Sequence, residues 1–254
     1  MPGERHLCCV CLSDLPFTHF ETLLHNPMAD KFNAQVDAPG YERAVALFYY
    51  SEGSRKITQA LKYGRNFGAG RWFARMLGER MLAAGLCEFD LVCPVPLHWT
   101  RQFARGYNQA EVIGREVARV LGVPFEPRLL RRVRRTGTQT RLSAEERAAN
   151  IAGAFIVSNG RAMLAGGWGG KPSARTARSF PPTPDGAGTS RSLAAGGQGI
   201  SAPTLHSSFA RPRQILIIDD VFTTGATVSA CAAALRETFG PEVRISVATL
   251  AFAR

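Results

Sequence analysis

The stretch ILIIDDVFTTGAT, residues 215–227, constrains this chain more than any other. Ile215 to Ile218 form an apolar run without polar alternation, the pattern of a parallel-sheet strand buried on both faces. Two adjacent carboxylates, Asp219 and Asp220, follow, then Thr223, Thr224, Gly225 and Thr227. In open α/β sheets, ligands gather beyond the carboxyl ends of strands, where the next helix presents its N-terminus. The spacing predicts a strand that ends at the acid pair, so that both carboxylates reach out past the sheet. Backbone N–H groups at the following helix start, together with the threonine hydroxyls and the helix dipole, form a seat for phosphate. Gly225 lets the backbone approach such a ligand closely. Carboxylates beside that seat suit the vicinal hydroxyls of a sugar, or Mg2+. Ordinary solubilising charge at a strand end is the alternative, and the coincidence of apolar run, acid pair and Thr-Gly-x-Thr turn weighs against it.

The rest of the chain alternates strand and helix signals. Strands are predicted over 44–50, 90–98, GAFIV (153–157), 214–220 and VRISVATLAF (243–252). Helices are predicted over ITQALKYG (57–64), 69–84, 108–121 and the capping-box segment 143–150. A further helix carries Val228, Cys231, Leu235 and Phe239 on one face and closes at Gly240-Pro241. This order predicts an α/β fold with a mostly parallel sheet flanked by helices. Residues 1–43 read as an irregular, cysteine-containing appendage. The domain proper spans 44–157 and 213–254, interrupted by a Gly/Ser/Pro/Arg-rich insertion at 158–212 that is expected to be disordered.

The net charge of +11 favours phosphate-rich partners, either a polyphosphorylated small molecule or nucleic acid. A run of arginines, Arg131, Arg132, Arg134 and Arg135, is a candidate backbone track for single-stranded DNA, although no aromatic residues interleave with it to stack bases. No stretch nears the roughly 18 apolar residues of a membrane span. The N-terminus lacks a signal-peptide core, so the expected address is the cytoplasm. Of six cysteines, Cys87, Cys93 and Cys231 read as reduced core residues. Cys8 and Cys11 have the Cys-x-x-Cys spacing of half a zinc site, with no second pair in the next thirty residues. They are either zinc ligands in an incomplete set or free thiols.

IIDDVFTTGAT resembles the phosphoribosyl-pyrophosphate (PRPP) loop of type I phosphoribosyltransferases. CPVPLHWTRQFARGYNQAEVIG (93–114) and TQTRLSAEERAANIAGAF (138–155) narrow the resemblance to the ComF family, phosphoribosyltransferase-like bacterial proteins linked to competence and DNA uptake. The resemblance covers roughly residues 8–157 and 213–252. It implies that Asp219 and Asp220 hold the ribose hydroxyls, and that Val221, Phe222, Thr223, Thr224, Gly225, Ala226 and Thr227 form the loop around the 5′-phosphate. It also implies pyrophosphate binding by the turn Pro94, Val95, Pro96 and Leu97 with Arg105, Asn108 and Gln109. Arg141 and Arg147 fall where such enzymes carry a closing loop and would add positive charge there, a plain helix face being the alternative. The implied ligands are PRPP with Mg2+, and Zn2+ for the cysteine pair. The implied activity is transfer of ribose 5-phosphate to an unidentified acceptor, in the company of the DNA-uptake machinery. A non-catalytic module that binds PRPP or single-stranded DNA is the second reading.

Overall fold

The computed structural model describes residues 12–51, 54–55, 67–97, 106–134, 151, 153–158 and 211–253. Within these residues the apolar runs assemble into a four-stranded, all-parallel sheet. Its strands are β1 (Ala44–Tyr49), β2 (Leu91–Pro94), β5 (Gln214–Phe222) and β6 (Arg244–Phe252), in the order β1-β6-β5-β2. The two central strands are nine residues each, and their runs Ile215–Ile218 and Ile245–Phe252 are buried throughout. Burial on both faces is what an unalternating apolar strand requires. Two short strands, β3 (Leu130–Arg132) and β4 (Phe155–Val157), form a separate antiparallel pair.

Helices α2 (Phe67–Ala83) and α3 (Gln109–Leu121) pack against each other on one face, and α4 (Ala226–Phe239) follows β5. Close approach on the α2–α3 face depends on two glycines. A Cβ on Gly78 would lie 3.0 Å from Val120 Cβ, and one on Gly114 would lie 2.8 Å from Phe125 Cε2 and 3.5 Å from Ile218 Cγ1. The second contact sets α3 directly on β5 at Ile218, the residue immediately before the acid pair.

Residues 12–43 are more ordered than their weak periodicity suggests. Asn26-Pro27 starts a helix, α1 (Pro27–Asn33). Asn26 Oδ1 accepts from the amides of Met28 and Ala29, while its Nδ2 donates to Ala44 O at 3.0 Å. One side chain thus caps α1 and ties it to β1. A helix of two turns is too short for its period to stand out from the sequence. Upstream, Phe17 bridges Phe48, and Tyr49 N donates to Pro16 O at 2.8 Å, which covers the outer edge of β1.

Two fastenings hold the ends of the interrupted domain. Ser158 N donates to Leu129 O at 2.7 Å. Asp90 Oδ2 accepts from Arg213 N at 2.6 Å and from Gln214 N at 2.8 Å, so β5 is guided into the sheet beside β2. The predicted helices 57–64 and 143–150, Cys8, Cys9 and Cys11, and almost all of the 158–212 insertion lie outside the described residues. Cys93 and Cys231 are buried as expected, but Cys87 is exposed because it follows the end of α2 in an irregular link. Among the described residues, no helix is long and apolar enough to cross a membrane.

Glu42, just before β1, is the deepest carboxylate in this framework. It pairs with Arg236 of α4 at 2.8 Å and accepts from Ile245 N of β6 at 3.0 Å, with Arg244 3.5 Å away. Burial holds its carboxyl above the ordinary range, against the lowering by the Ile245 amide and the two arginines. Replacing Glu42 with leucine strands Arg236, whose side chain is only 9% exposed, and is expected to cost about 3–5 kcal/mol by urea unfolding. A group whose folded pKa is raised contributes stability fully below its unfolded pKa and loses it as pH rises through the folded value. Unfolding free energy measured from acid to neutral pH should therefore lose part of its decline with pH in Glu42→Gln.

Candidate functional site

The site is built where neighbouring strands stop at different heights. β2 pairs with β5 only as far as Pro94↔Ile218, and Val95 N closes the ladder by donating to Ile218 O at 2.8 Å. Pro94 and Pro96 have no N–H to continue it. On its other side β5 stays paired with β6 through Asp219↔Thr249, Val221↔Ala251 and Phe222↔Phe252. The strand therefore does not end at the acid pair, as its sequence suggests, but runs on to Phe222. Its extension is paired along one edge and open along the edge that faces the Pro94–Leu97 turn.

Strand geometry then separates the two acids. Ile218 points to the face covered by α3, since it lies beside Gly114. Successive side chains on a strand alternate, so Asp220 shares that face and Asp219 faces α4. Both are half-buried, and Asp219 Oδ1 accepts from Asp220 N at 2.8 Å, which steadies the pair. Burial pushes the Cys231 thiol on α4 well above its ordinary range, with the charges of Cys93 and Asp219 adding and that of Arg132 opposing. Cys93 is likewise pushed up by burial, so both thiols are inert packing groups under the acids.

Arg132 corrects one expectation. β3 alternates, so Arg131 is exposed while Arg132 turns in, with its guanidinium 5.3 Å from the centroid of Phe155. Arg134 is exposed and Arg135 lies outside the described residues, so the run is not one continuous surface track. β4 rests against α4, where Phe155, Ser229 and Gln35 help line a recess of about 360 Å3.

The turn Thr223–Gly225 leads directly into α4. Thr223 is exposed, Thr224 and Thr227 are half-buried, and Ala226 is buried as the first helical residue. Gly225, at the N-cap, has φ +87 and offers no side-chain cap, so the first N–H groups of α4 have no cap from it. A Cβ at Gly225 would come within 2.7 Å of Phe222 Cζ and 2.8 Å of Gln35 Nε2. Gln35 itself donates to Thr224 O at 2.6 Å and to Lys31 O at 2.8 Å. Sequence reasoning missed Gln35, because nothing in a local pattern links two residues 189 positions apart.

Opposite the acids, Asn108 organises the second wall. Its Oδ1 caps α3 by accepting from Ala110 N at 3.1 Å, and its Nδ2 donates to Val95 O at 2.9 Å. Asn108 therefore holds the Pro94–Leu97 turn in place, with its amide committed at both ends. Gln109 is buried at the helix start, and Gly106 turns the chain with φ +77. The structure thus brings Pro94, Val95 and Asn108 beside Ile218 and the open edge of β5. Arg105, Arg141, Arg147, Cys8 and Cys11 lie outside the described residues. No group of three or more His, Cys, Asp or Glu side chains suited to a metal occurs among the described ones.

The parallel sheet flanked by helices is an α/β fold of the phosphoribosyltransferase-like kind. Competence protein F of Haemophilus influenzae is 32% identical over 132 residues, which is 50% of this chain and 57% of that protein. DNA utilization protein YhgH of Salmonella typhimurium is 32% identical over 121 residues, 46% of this chain and 53% of the relative. The Escherichia coli K12 protein of the same name is 29% identical over 156 residues, 60% and 65% of the two chains. The matches span between about half and two thirds of these relatives' lengths. No protein-family profile matches. The chain is thus similar to competence and DNA-utilization proteins over about half of its length.

Asn108 offers a direct test of the wall it supports. Asn108→Ala removes both the helix cap and the hold on Val95, with an expected loss of about 1–2 kcal/mol in urea unfolding. Asn108→Asp keeps the cap acceptor but sets a buried carboxylate oxygen against Val95 O, so its loss should be at least as large.

Proposed function

We propose that the crevice between the Pro94–Leu97 turn and the Thr223–Thr227 turn binds PRPP with Mg2+ and transfers its ribose 5-phosphate to an acceptor during the handling of imported DNA. The observation that carries this reading is the open extension of β5, with Asp219 and Asp220 between two backbone turns. The uncapped start of α4 and the hydroxyls of Thr223, Thr224 and Thr227 suit the 5′-phosphate. Asp219 and Asp220 suit the ribose 2′ and 3′ hydroxyls, which are donors. The backbone of Pro94–Leu97, with Arg105 and the helix start at Gln109, suits the pyrophosphate.

A half-buried carboxylate from either face of the strand also fits Mg2+, which keeps several waters and takes further oxygens from phosphates. When bound, the ion would neutralise charge on the pyrophosphate. In the reaction the bond from ribose C1 to the pyrophosphate oxygen breaks and the electron pair leaves with pyrophosphate, while the acceptor forms its bond at C1. The chain's task is to orient the ribose through the acid pair, hold the departing charge with arginine forks and exclude water. Arg141 and Arg147 are the cations proposed for closure over C1. The names of the relatives, a competence protein and DNA utilization proteins, support the cellular setting.

The second reading, a non-catalytic module holding PRPP or the 5′-phosphate of single-stranded DNA, is favoured by the exposure of Arg131 and Arg134. Calorimetric titration with PRPP, with and without Mg2+, tests the pocket. The Asp219→Asn/Asp220→Asn double variant should bind at least about tenfold more weakly, the worth of a lost hydrogen bond to a charged group. Equal binding by wild type and variant would remove the pocket assignment. Pyrophosphate release across a panel of bases then separates enzyme from module. Oligonucleotide binding that does not weaken as salt rises would exclude the phosphate-track reading.

A further inference from the structure

Resting on the reading of the Thr223–Thr227 turn as a phosphate seat, we propose that Gln35 is a positioning residue that fixes the direction of the Gly225 amide and thereby sets the affinity of the turn for phosphate. The peptide joining Thr224 to Gly225 is trans, so its C=O and N–H point in opposite directions. Gln35 Nε2 donates to the Thr224 carbonyl at 2.6 Å. The same nitrogen donates to Lys31 O at 2.8 Å, which braces the side chain on the last turn of α1. Drawing the carbonyl toward α1 turns the Gly225 N–H away from α1 and leaves it for a ligand.

The need for such a brace follows from the residue it acts on. Glycine adopts positive and negative φ with similar ease, so a Thr-Gly peptide has two orientations of similar energy. Gly225 lies at φ +87, between the Phe222 ring and the Gln35 amide, with room for no side chain on either side. Phe222 blocks one side by bulk, and Gln35 selects the orientation by a directed bond. A phosphate needs several N–H groups converging at once, so one amide turned outward weakens the whole set. Gln35 is exposed, so little core burial rests on it, and substituting it probes the turn without unfolding the chain.

The probes are inorganic phosphate and ribose 5-phosphate, titrated calorimetrically into the full chain. Gln35→Ala should weaken both by about 3- to 10-fold, the range set by one directed hydrogen bond. Gln35→Glu keeps the shape but sets an acceptor against the Thr224 carbonyl and an anion near the ligand, so its loss should exceed that of alanine. Thermal midpoints should stay within about 3 °C of wild type, as for a surface substitution. The Gly225 amide resonance should shift on adding phosphate to wild type and shift less in both variants. If wild type binds and Gln35→Ala binds equally well, the inference about Gln35 fails while the phosphate seat stands. Weakened binding that tracks an equal fall in stability would make Gln35 merely structural. Wild type that binds neither probe removes the seat and this inference with it.

Discussion

The site depends on a mismatch in strand length. β6 supports β5 for its full course, whereas β2 stops at Pro94. Had both neighbours stopped together, Asp219 to Phe222 would have frayed into a loop. Had both continued, the extension would have been sealed from ligands on each side. One paired edge gives the carboxylates a rigid mount, and one open edge gives them access. The prolines that end β2 are therefore part of the pocket's construction as much as any donor that lines it.

Around that step, the supports converge from distant parts of the chain. Gly114 lowers α3 onto β5, and the start of α3 delivers Asn108 to the Pro94–Leu97 turn. On the opposite side α1 delivers Gln35 to the Thr223–Thr227 turn, and α1 is itself tied to β1 by Asn26. Glu42 fastens the same N-terminal region to α4 and β6. The appendage thus behaves as a brace for the phosphate-side wall, connected by directed polar bonds more than by bulk.

Much of this was legible from residues alone, and the exceptions have physical causes. α3 and the first half of β5 stood out because an apolar stripe at helical spacing and an uninterrupted apolar run each imply one kind of burial. The end of β5 was misplaced by two residues, because where a strand stops depends on its partner's ladder, which the strand's own sequence does not contain. The Arg131–Arg135 run looked like a single feature, yet alternation in β3 sends Arg132 inward beside Phe155. Gln35 carried no signal, since its significance exists only after α1 and α4 are brought together. The acid pair, by contrast, was conspicuous because no apolar environment explains it.

Asp90 and the Ser158–Leu129 bond have one more implication. They pin the chain where it leaves the domain after β4 and where it returns into β5, so the geometry on either side is set locally. What joins these two points is then free to drift in length and composition. Doubling such a connection adds only about 0.6 kcal/mol of closure cost. The position between 158 and 211 is accordingly a natural port for evolutionary cargo.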